Sequence, residues 1–241
     1  ALSVSDMILK ENKYFICFIS DITKRKLNEN KIKNSLLEKE VLLKEIHHRI
    51  KNNMQVITGL LSLQSNFIEQ EKIKSLFMSS QYRIHSMGIV HEMLYQSNDV
   101  SKILFEEYLK QLTSGLIRAM KRPQQSIELN IECPVLTLNL DTAIPLGLIV
   151  NELVTNSLKY GFKDRNNGLI NIQLKKSTES DILEMSIGDN GVGYSKQFDF
   201  QNSKSLGLLL VHKLSRQLSG KISRDFSKVG SYYVLYFKEV N

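Results

Sequence analysis

A helical spacing of apolar residues runs through the first half of the chain and carries two adjacent histidines on its flank. Six apolar residues recur at steps of three and four, which predicts an amphipathic helix. At about 100° per residue, these six fall within about 80° of one another. His47 then lies at the edge of the stripe, and His48 lies almost opposite it, beside Glu45 and Lys51. The pattern therefore predicts that His48 faces water, as part of a plain solvated face or as a reactive imidazole. The six apolar residues are Leu43, Ile46, Ile50, Met54, Ile57 and Leu61.

Helical spacing continues on both sides of this stretch. From about Lys24 a charged helix leads into the histidine helix without a Pro or Gly, and the run Tyr14–Ser20 before it predicts a strand. Gln64–Gln70 interrupts the rhythm as a loop, and a second apolar stripe extends from Ile73 to Leu94. Two long helices with a short connection predict an antiparallel hairpin.

The apolar stripe of this hairpin is too wide for one partner helix to cover. Two copies of the chain would bury it in a four-helix bundle, so we expect a homodimer. His85 and His91 lie on the second helix and are predicted to be surface or boundary residues, because no carboxylate or cysteine keeps a metal-binding spacing with them.

The second half of the chain alternates between helical and strand-like patterns and predicts a separate domain. Ser97–Asp99 is polar and loop-like, and we place the boundary between the two units there. The predicted elements are helices at Phe105–Met120, Asp141–Gly161 and Ser205–Ser219, with strands at Ile127–Glu132, Leu136–Leu140, Leu169–Lys175, Ile182–Gly188, Lys221–Phe226 and Tyr232–Phe237.

One face of the helix that ends at Gly161 is polar although the helix is otherwise strongly apolar. Glu152, Asn156, Lys159 and Tyr160 fall at i, i+4, i+7 and i+8 and share this face. Burying such groups without partners would cost several kcal/mol, so they predict a polar ligand. An oxygen pair four residues apart suits hydrated Mg²⁺, and Lys159 one turn later suits a phosphate.

Two glycine-containing turns follow this helix. Asp189 ends a strand, and Gly191 and Gly193 let the backbone approach a ligand closely. An Asp at a strand end can accept a hydrogen bond from an exocyclic amine such as that of adenine. The polar segment 195–204 would serve as a lid, and Gly207 opens a helix whose amide groups can meet phosphate.

In this order, these motifs resemble the catalytic core of a sensor histidine kinase. Asn151–Asn156 resembles the N box of that family, Asp189–Gly193 its first glycine box and Ser205–Leu208 its second. The stretch Glu45–Asn53 resembles the phosphoacceptor box of an HWE-related subgroup. The resemblance implies an α+β architecture, in which a long helical hairpin, dimeric as a four-helix bundle, precedes an α/β sandwich ATPase domain of the GHKL class.

The resemblance also implies ligands, a partner and roles for single residues. ATP and Mg²⁺ would bind, and the phosphohistidine would donate to an aspartate on a response-regulator receiver domain. His48 would be the phosphoacceptor, with His47 as the alternative, and we expect Glu45 to act as base or to orient the imidazole. Ser205 stands where many family members have glycine, which puts phosphate approach there in question. The implied nucleotide-site residues are Asn156 and Glu152 for Mg²⁺, Lys159, Tyr160 and Gly207 for the phosphates and nucleotide, Leu208 beside them, and Asp189, Gly191 and Gly193 for adenine.

The resulting division of the chain has three parts. Residues 1–23 are the end of a PAS-like sensor domain or a leader, 24–98 are the linker helix and hairpin, and 99–241 are the ATP-binding domain, with a hinge candidate at 95–105. The net charge of +7 raises nucleic acid as a partner. The excess is spread along the helical half and no aromatic residues interleave with a basic stripe, so we expect none.

Composition sets the remaining expectations. No apolar run approaches the roughly 20 residues that cross a bilayer, and Cys17 and Cys133 read as free buried thiols, so we expect a cytoplasmic protein. The first residue is not Met, which suggests a piece of something longer. Two alternatives to a sensor kinase remain: a GHKL-type ATPase that works as a conformational clamp, and a degenerate or phosphatase-biased kinase that serves as a dimeric scaffold.

Overall fold

The computed structural model describes residues 2–9, 12–96, 102–134, 136–176, 181–194, 198–203 and 205–240. It divides into two compact units, Ala1–Glu45 and Ile46–Asn241. The predicted hinge at 95–105 and the predicted lid at 195–204 lie partly outside the described residues.

The first unit consists of a β-hairpin and the start of a long helix. Strands β1 (Leu2–Leu9) and β2 (Asn12–Ile19) pair antiparallel. Helix α1 (Thr23–Asn66) follows, and Asp21 Oδ1 accepts a hydrogen bond of 2.8 Å from the Thr23 amide at its start. The structure confirms the predicted strand before the helix, and β1 is an addition that the sequence pattern did not indicate.

The second unit begins with the helical hairpin. Helix α1 ends at Asn66 and α2 (Glu71–Gln96) returns, so the loop is shorter than predicted. Lys51 Nζ lies 2.5 Å from Glu92 Oε1 across the hairpin. Much of the apolar stripe is uncovered in the single chain, because Ile46 is 49% exposed and Ile57 47% exposed. No described helix is long and apolar enough to cross a bilayer.

After the helical hairpin, the second unit contains a five-stranded sheet. Its order is β4 (Ser126–Glu132), β6 (Asn167–Lys176), β7 (Leu183–Asp189), β9 (Ser231–Phe237) and β8 (Lys221–Asp225). Strands β4 and β6 are parallel, and the other pairs are antiparallel. Burial alternates along β6 and β7, so these strands turn one face toward the core.

Three helices cover the buried face of this sheet. They are α3 (Phe105–Met120), α4 (Leu140–Asn156) and α5 (Leu206–Gln217), which contact β4, β7 and β8 respectively. The short strands β3 (Lys102–Leu104) and β5 (Thr137–Asn139) pair separately. After the β1–β2 hairpin, the architecture is therefore a helical hairpin followed by an α/β sandwich, as predicted. Side chains such as Leu112, Leu146, Ile149, Ile172 and Met185 fill the core between the layers.

Candidate functional site

Helix α4 carries the polar face that the sequence predicted. Its cap is Asn139, whose Oδ1 accepts a hydrogen bond of 3.0 Å from the Thr142 amide. After Asn156 the helix widens into one π turn, Ser157–Gly161, a feature that often occurs at functional sites. This turn carries Lys159 and Tyr160, so the polar face continues to the end of the helix.

A cavity of about 510 Å³ opens beside this face. Helix α4 and the π turn form one wall, and the start of α5 forms the next. Helix α2 of the hairpin closes the opposite side. The structure therefore brings the predicted helix residues and the second glycine box to one cavity. Its lining includes Lys72, Ser79 and Arg83 from α2; Glu152, Thr155, Asn156, Lys159 and Tyr160; and Ser205, Gly207 and Leu208.

Glu152 lines this cavity and is paired there with an arginine from the hairpin. Arg83 Nε donates to Glu152 Oε1 at 2.6 Å, and Arg83 Nη2 donates to Oε2 at 3.0 Å. The two side chains are 18% and 8% exposed. This parallel fork is the strong, directional form of an arginine–carboxylate pair. Arg83 therefore belongs to the site, although no sequence motif pointed to it.

Lys159 lies at the same end of the cavity. Its Nζ donates to Ser79 Oγ at 3.1 Å, so the π turn contacts α2 as α4 does through Glu152. Burial lowers the pKa of Lys159, Glu152 acts to raise it, and Arg83 lowers it again. The cation is thus partly desolvated, which strengthens its attraction for an anion in the cavity.

The start of α5 lies against Glu152. A Cβ added to Gly207 would lie 2.5 Å from Glu152 Oε2, so any larger residue there would displace the end of the Glu152 side chain. Ser205 caps the helix, and its Oγ accepts from the Leu208 amide at 3.4 Å. The serine that departs from the family pattern therefore occupies an amide group that could otherwise face phosphate, while the Leu208 side chain is buried.

Asp189 lies fully buried at the other end of the π turn. Its Oδ2 accepts from Ser157 Oγ at 2.6 Å and its Oδ1 from the Gly191 amide at 2.8 Å. Burial raises the pKa of Asp189, and the hydrogen bonds from Ser157 and Gly191 partly oppose that rise. Gly193 has φ +67°, and a Cβ on Gly191 would lie 2.4 Å from the Gly161 carbonyl oxygen, so both glycines are required by the turn.

The predicted adenine pocket is closed in this structure. The cavity beside Asp189 measures about 10 Å³, which is room for about one water molecule. Tyr194 and Tyr233 line it together with Asn156 and Gly193. Tyr194 stacks on Phe198 with ring centroids 4.3 Å apart. A purine would enter only if these aromatic side chains moved, so the base end is narrow while the phosphate end is open.

The two adjacent histidines of α1 have different surroundings. His47 is buried, and its Nδ1 lies 3.0 Å from Nδ1 of His91 on α2. His48 is partly exposed, and its ring contacts Tyr95 with centroids 5.1 Å apart. Glu45 is exposed on the same helix. The structure thus places His48, not His47, where solvent can reach it, as the helical spacing predicted.

The prediction that His91 is a surface or boundary residue was wrong. His91 is buried because α1 covers it, with His47 directly opposite. His85 on the same helix is exposed, as predicted. Spacing within one helix did not reveal the contact, since the covering residue lies on the other helix.

This buried pair predicts a pH-dependent stability. Burial and the neighbouring His47 both lower the pKa of His91 below its ordinary value of 6.5. The unfolded chain therefore binds a proton at this histidine more tightly than the folded chain does. The contribution of neutral His91 to the free energy of unfolding is fully present above about pH 6.5 and is lost as the pH falls toward the lowered pKa of the folded state. We expect the melting temperature to fall between pH 7.5 and pH 5.5, and His91→Gln to flatten that dependence. Exposed His85→Gln is the matched control, and an equal flattening there would contradict this account.

Comparisons with known proteins agree with this geometry. Residues 45–120 match the model of the family described as histidine kinase, and residues 141–241 match that of the histidine kinase-, DNA gyrase B- and HSP90-like ATPases. The structure is similar to the histidine kinase domain of the Erythrobacter litoralis EL346 blue-light activated histidine kinase. The TM-score is 0.61 at 22% identity, over 86% of this chain and 94% of that one.

Two relatives are similar in sequence. Sensor histidine kinase PdtaS of Mycobacterium tuberculosis is 29% identical over 222 residues, which covers 90% of this chain and 42% of that protein. Blue-light-activated histidine kinase 2 of Erythrobacter litoralis is 28% identical over 190 residues, covering 75% of this chain and 52% of the relative. The chain thus spans about half the length of these relatives.

Proposed function

Because this chain belongs to the histidine kinases, we propose that it phosphorylates its own His48 from Mg²⁺–ATP and passes the phosphoryl group to a response regulator. An imidazole nitrogen of His48 attacks the γ-phosphorus in line. The new N–P bond forms as the bond to the β,γ-bridging oxygen breaks, and ADP leaves. An aspartate of a receiver domain then accepts the phosphoryl group as the N–P bond breaks.

The observation that carries this proposal is one cavity walled by Glu152, Asn156, Lys159 and Gly207, in a chain that also exposes His48 on a helical hairpin. Neither feature alone is specific, since exposed histidines and polar cavities are common. A nucleotide-type cavity together with an accessible imidazole supports phosphoryl transfer to histidine.

The residues of the cavity fit the phosphate end of Mg²⁺–ATP. Asn156 and Glu152 would hold Mg²⁺ through side-chain oxygens, with Lys159 close to the phosphates. Thr155 also lines the cavity, and its Oγ1 is buried without a hydrogen-bond partner among the described residues. When bound, the metal would neutralise charge on the phosphates. At the base end, Asp189 fits adenine by chemistry, but Tyr194 and Tyr233 have to make room.

His48, on α1, lies far from the cavity, as its contact with α2 shows. The ring of His48 contacts Tyr95, which lies twelve residues beyond Arg83, or about 18 Å along the helix. In-line attack requires about 3–3.5 Å between the reacting atoms. Phosphoryl transfer therefore needs the ATP-binding part, which is the chain after α2, to leave this position or to reach the histidine of a second copy. Glu45, one turn before His48, stays our candidate for the base or the orienting group.

The homodimer is part of the same proposal, and its support is the exposed apolar stripe of the hairpin. We expect Ile57→Glu to weaken dimerisation at least about tenfold, because each buried apolar side chain contributes about 1.5–3 kcal/mol and a charge in its place adds a cost. Light scattering coupled to size-exclusion chromatography measures the effect. Val229→Glu, at an exposed apolar site in the β8–β9 turn, is the control. An unchanged Ile57→Glu dimer would contradict this interface.

Incubation with γ-labelled ATP tests the proposed function. The expected product is labelled protein that loses its label in acid, keeps it in base, and requires Mg²⁺. ATP hydrolysis without protein label would instead indicate a conformational ATPase, and neither product would indicate a degenerate scaffold. A cytoplasmic location is a further part of the proposal, supported by the free thiol of Cys133, whose pKa is raised to about 11 by burial. Cys133 is partly buried, not fully buried as predicted, and the side chain of Cys17 lies outside the described residues.

A further inference from the structure

Polar contacts join helix α2 to α3, α4 and the π turn, and two of those described below involve side chains that line the cavity. Asn151 Nδ2 donates to the Tyr82 carbonyl at 3.0 Å, and the hydroxyl of buried Tyr108 donates to the Ser86 carbonyl at 3.2 Å. Lys159 reaches Ser79, and Arg83 pairs with Glu152. Of these contacts, only those of Lys159 and Glu152 use side chains that the proposed nucleotide site needs.

The Arg83–Glu152 pair uses both oxygens of the carboxylate. Both oxygens accept from the guanidinium, at 2.6 and 3.0 Å, and the Glu152 side chain is only 8% exposed. A carboxylate this deeply buried requires a counter-charge, because an uncompensated buried charge is strongly destabilising. Arg83, from the hairpin, supplies the counter-charge in direct contact with Glu152, and Lys159 adds a second positive charge nearby.

A magnesium ion at the same carboxylate would compete with the guanidinium. Mg²⁺ lies about 2.0–2.1 Å from its direct oxygen ligands, and a contact through one bound water roughly doubles that distance. Either position brings the divalent cation within a few ångström of Arg83, in a partly desolvated cavity where repulsion between cations is strong. Direct contact of the metal and of the guanidinium with the Glu152 carboxylate is therefore mutually unfavourable, whereas Lys159 acts on Glu152 without a direct contact.

We propose that Arg83 and the metal of a Mg²⁺–nucleotide are alternative partners of Glu152, so that filling the site releases α2 from α4. This inference rests on the proposed function. Arg83 is a positioning residue in it: it neutralises Glu152 while the site is empty and ties the hairpin to the cavity. Exchange of one cation for the other then couples nucleotide binding to the movement that brings the phosphate end and a His48 together.

Nucleotide affinity with and without metal tests the exchange. The full chain carries His48→Ala to prevent turnover, and ATP binding is measured by calorimetry in Mg²⁺ and in EDTA. With Mg²⁺, Arg83→Gln is expected to bind ATP about tenfold more tightly, since a charge-assisted pair no longer has to be broken. In EDTA the same variant is expected to bind ATP more weakly, because a cation beside the phosphates is lost.

Two further variants make the result specific. Lys110→Gln removes an exposed pair with Glu106 on α3 and is expected to change neither affinity. Arg83→Lys keeps the charge but loses the fork, and it is expected to show a smaller change of the same signs. Thermal unfolding shows whether Arg83→Gln is folded, and if it is not, Arg83→Lys takes its place in the affinity measurements.

Hydrogen exchange gives a structural readout of the release. Backbone amides of α2 around Ser79 to Ser86 are expected to exchange faster when the His48→Ala chain binds Mg²⁺–ATP, and not when it binds ATP in EDTA. Unchanged ATP affinities in Arg83→Gln, or weaker ATP binding in both Mg²⁺ and EDTA, would overturn the proposed replacement of Arg83 by the metal at Glu152. Either result would leave the proposed function standing. If the chain with intact Arg83 does not bind Mg²⁺–ATP at all, the proposed function fails, and the proposed replacement of Arg83 by the metal fails with it.

Discussion

His48→Ala is expected to lose labelling from γ-labelled ATP by roughly 100-fold or more, to background, because the variant lacks the nucleophile. His48 is the partly exposed histidine of the adjacent pair, whereas His47 is buried against His91. ATP binding should be unchanged, since His48 does not line the cavity. Filter-bound label and calorimetry on the same preparations measure both quantities.

His47→Gln and His85→Gln are the matched controls for this loss. Both should keep their label, although His47→Gln is expected to lower the melting temperature because it disturbs a buried contact. Label that survives His48→Ala and disappears in His47→Gln would move the phosphoacceptor to the neighbouring residue.

Asp189→Asn is expected to weaken ATP binding about 10- to 100-fold, since a hydrogen bond to a charged acceptor contributes about 1.5–3 kcal/mol. The side chain keeps its shape but offers one acceptor oxygen where the carboxylate offers two. Ser157 Oγ and the Gly191 amide both donate to that carboxylate, and the adenine amine would be a third donor. Binding of a fluorescent ATP analogue, displaced by ATP, measures the change.

The control for Asp189 is Asp225→Asn, an acidic residue that accepts from Ser227 in the β8–β9 turn outside both cavities. It should leave ATP affinity unchanged. Equal ATP affinity in Asp189→Asn and the unsubstituted chain, with equal melting temperatures, would show that Asp189 has a structural role only.

The sequence predicted the parts of the site that lie on one element. Glu152, Asn156, Lys159 and Tyr160 follow helical spacing, and even the π turn keeps them on one cavity. Asp189 and the glycines were equally visible, because a strand end followed by a tight turn has a strong local signal. Local geometry is what a sequence pattern encodes most directly.

Features that depend on contacts between distant elements were not predicted. Arg83 is one of 32 basic residues, and its partner Glu152 lies 69 positions away in the chain. The burial of His91 by α1 and the closing of the base end by Tyr194 and Tyr233 have the same origin. The sequence pattern also did not predict β1 or β3, because β1 lies in a run of mixed polar and apolar residues and β3 has only three residues.

Mapping the phosphorylated residue by mass spectrometry tests the account most directly. The full chain is incubated with Mg²⁺–ATP, digested at alkaline pH, and fragmented under conditions that preserve the N–P bond. We expect one phosphoryl group on the imidazole of His48 and none on His47, His85 or His91. A chain that binds ATP but carries no phosphohistidine, or carries it on another histidine, would contradict this expectation.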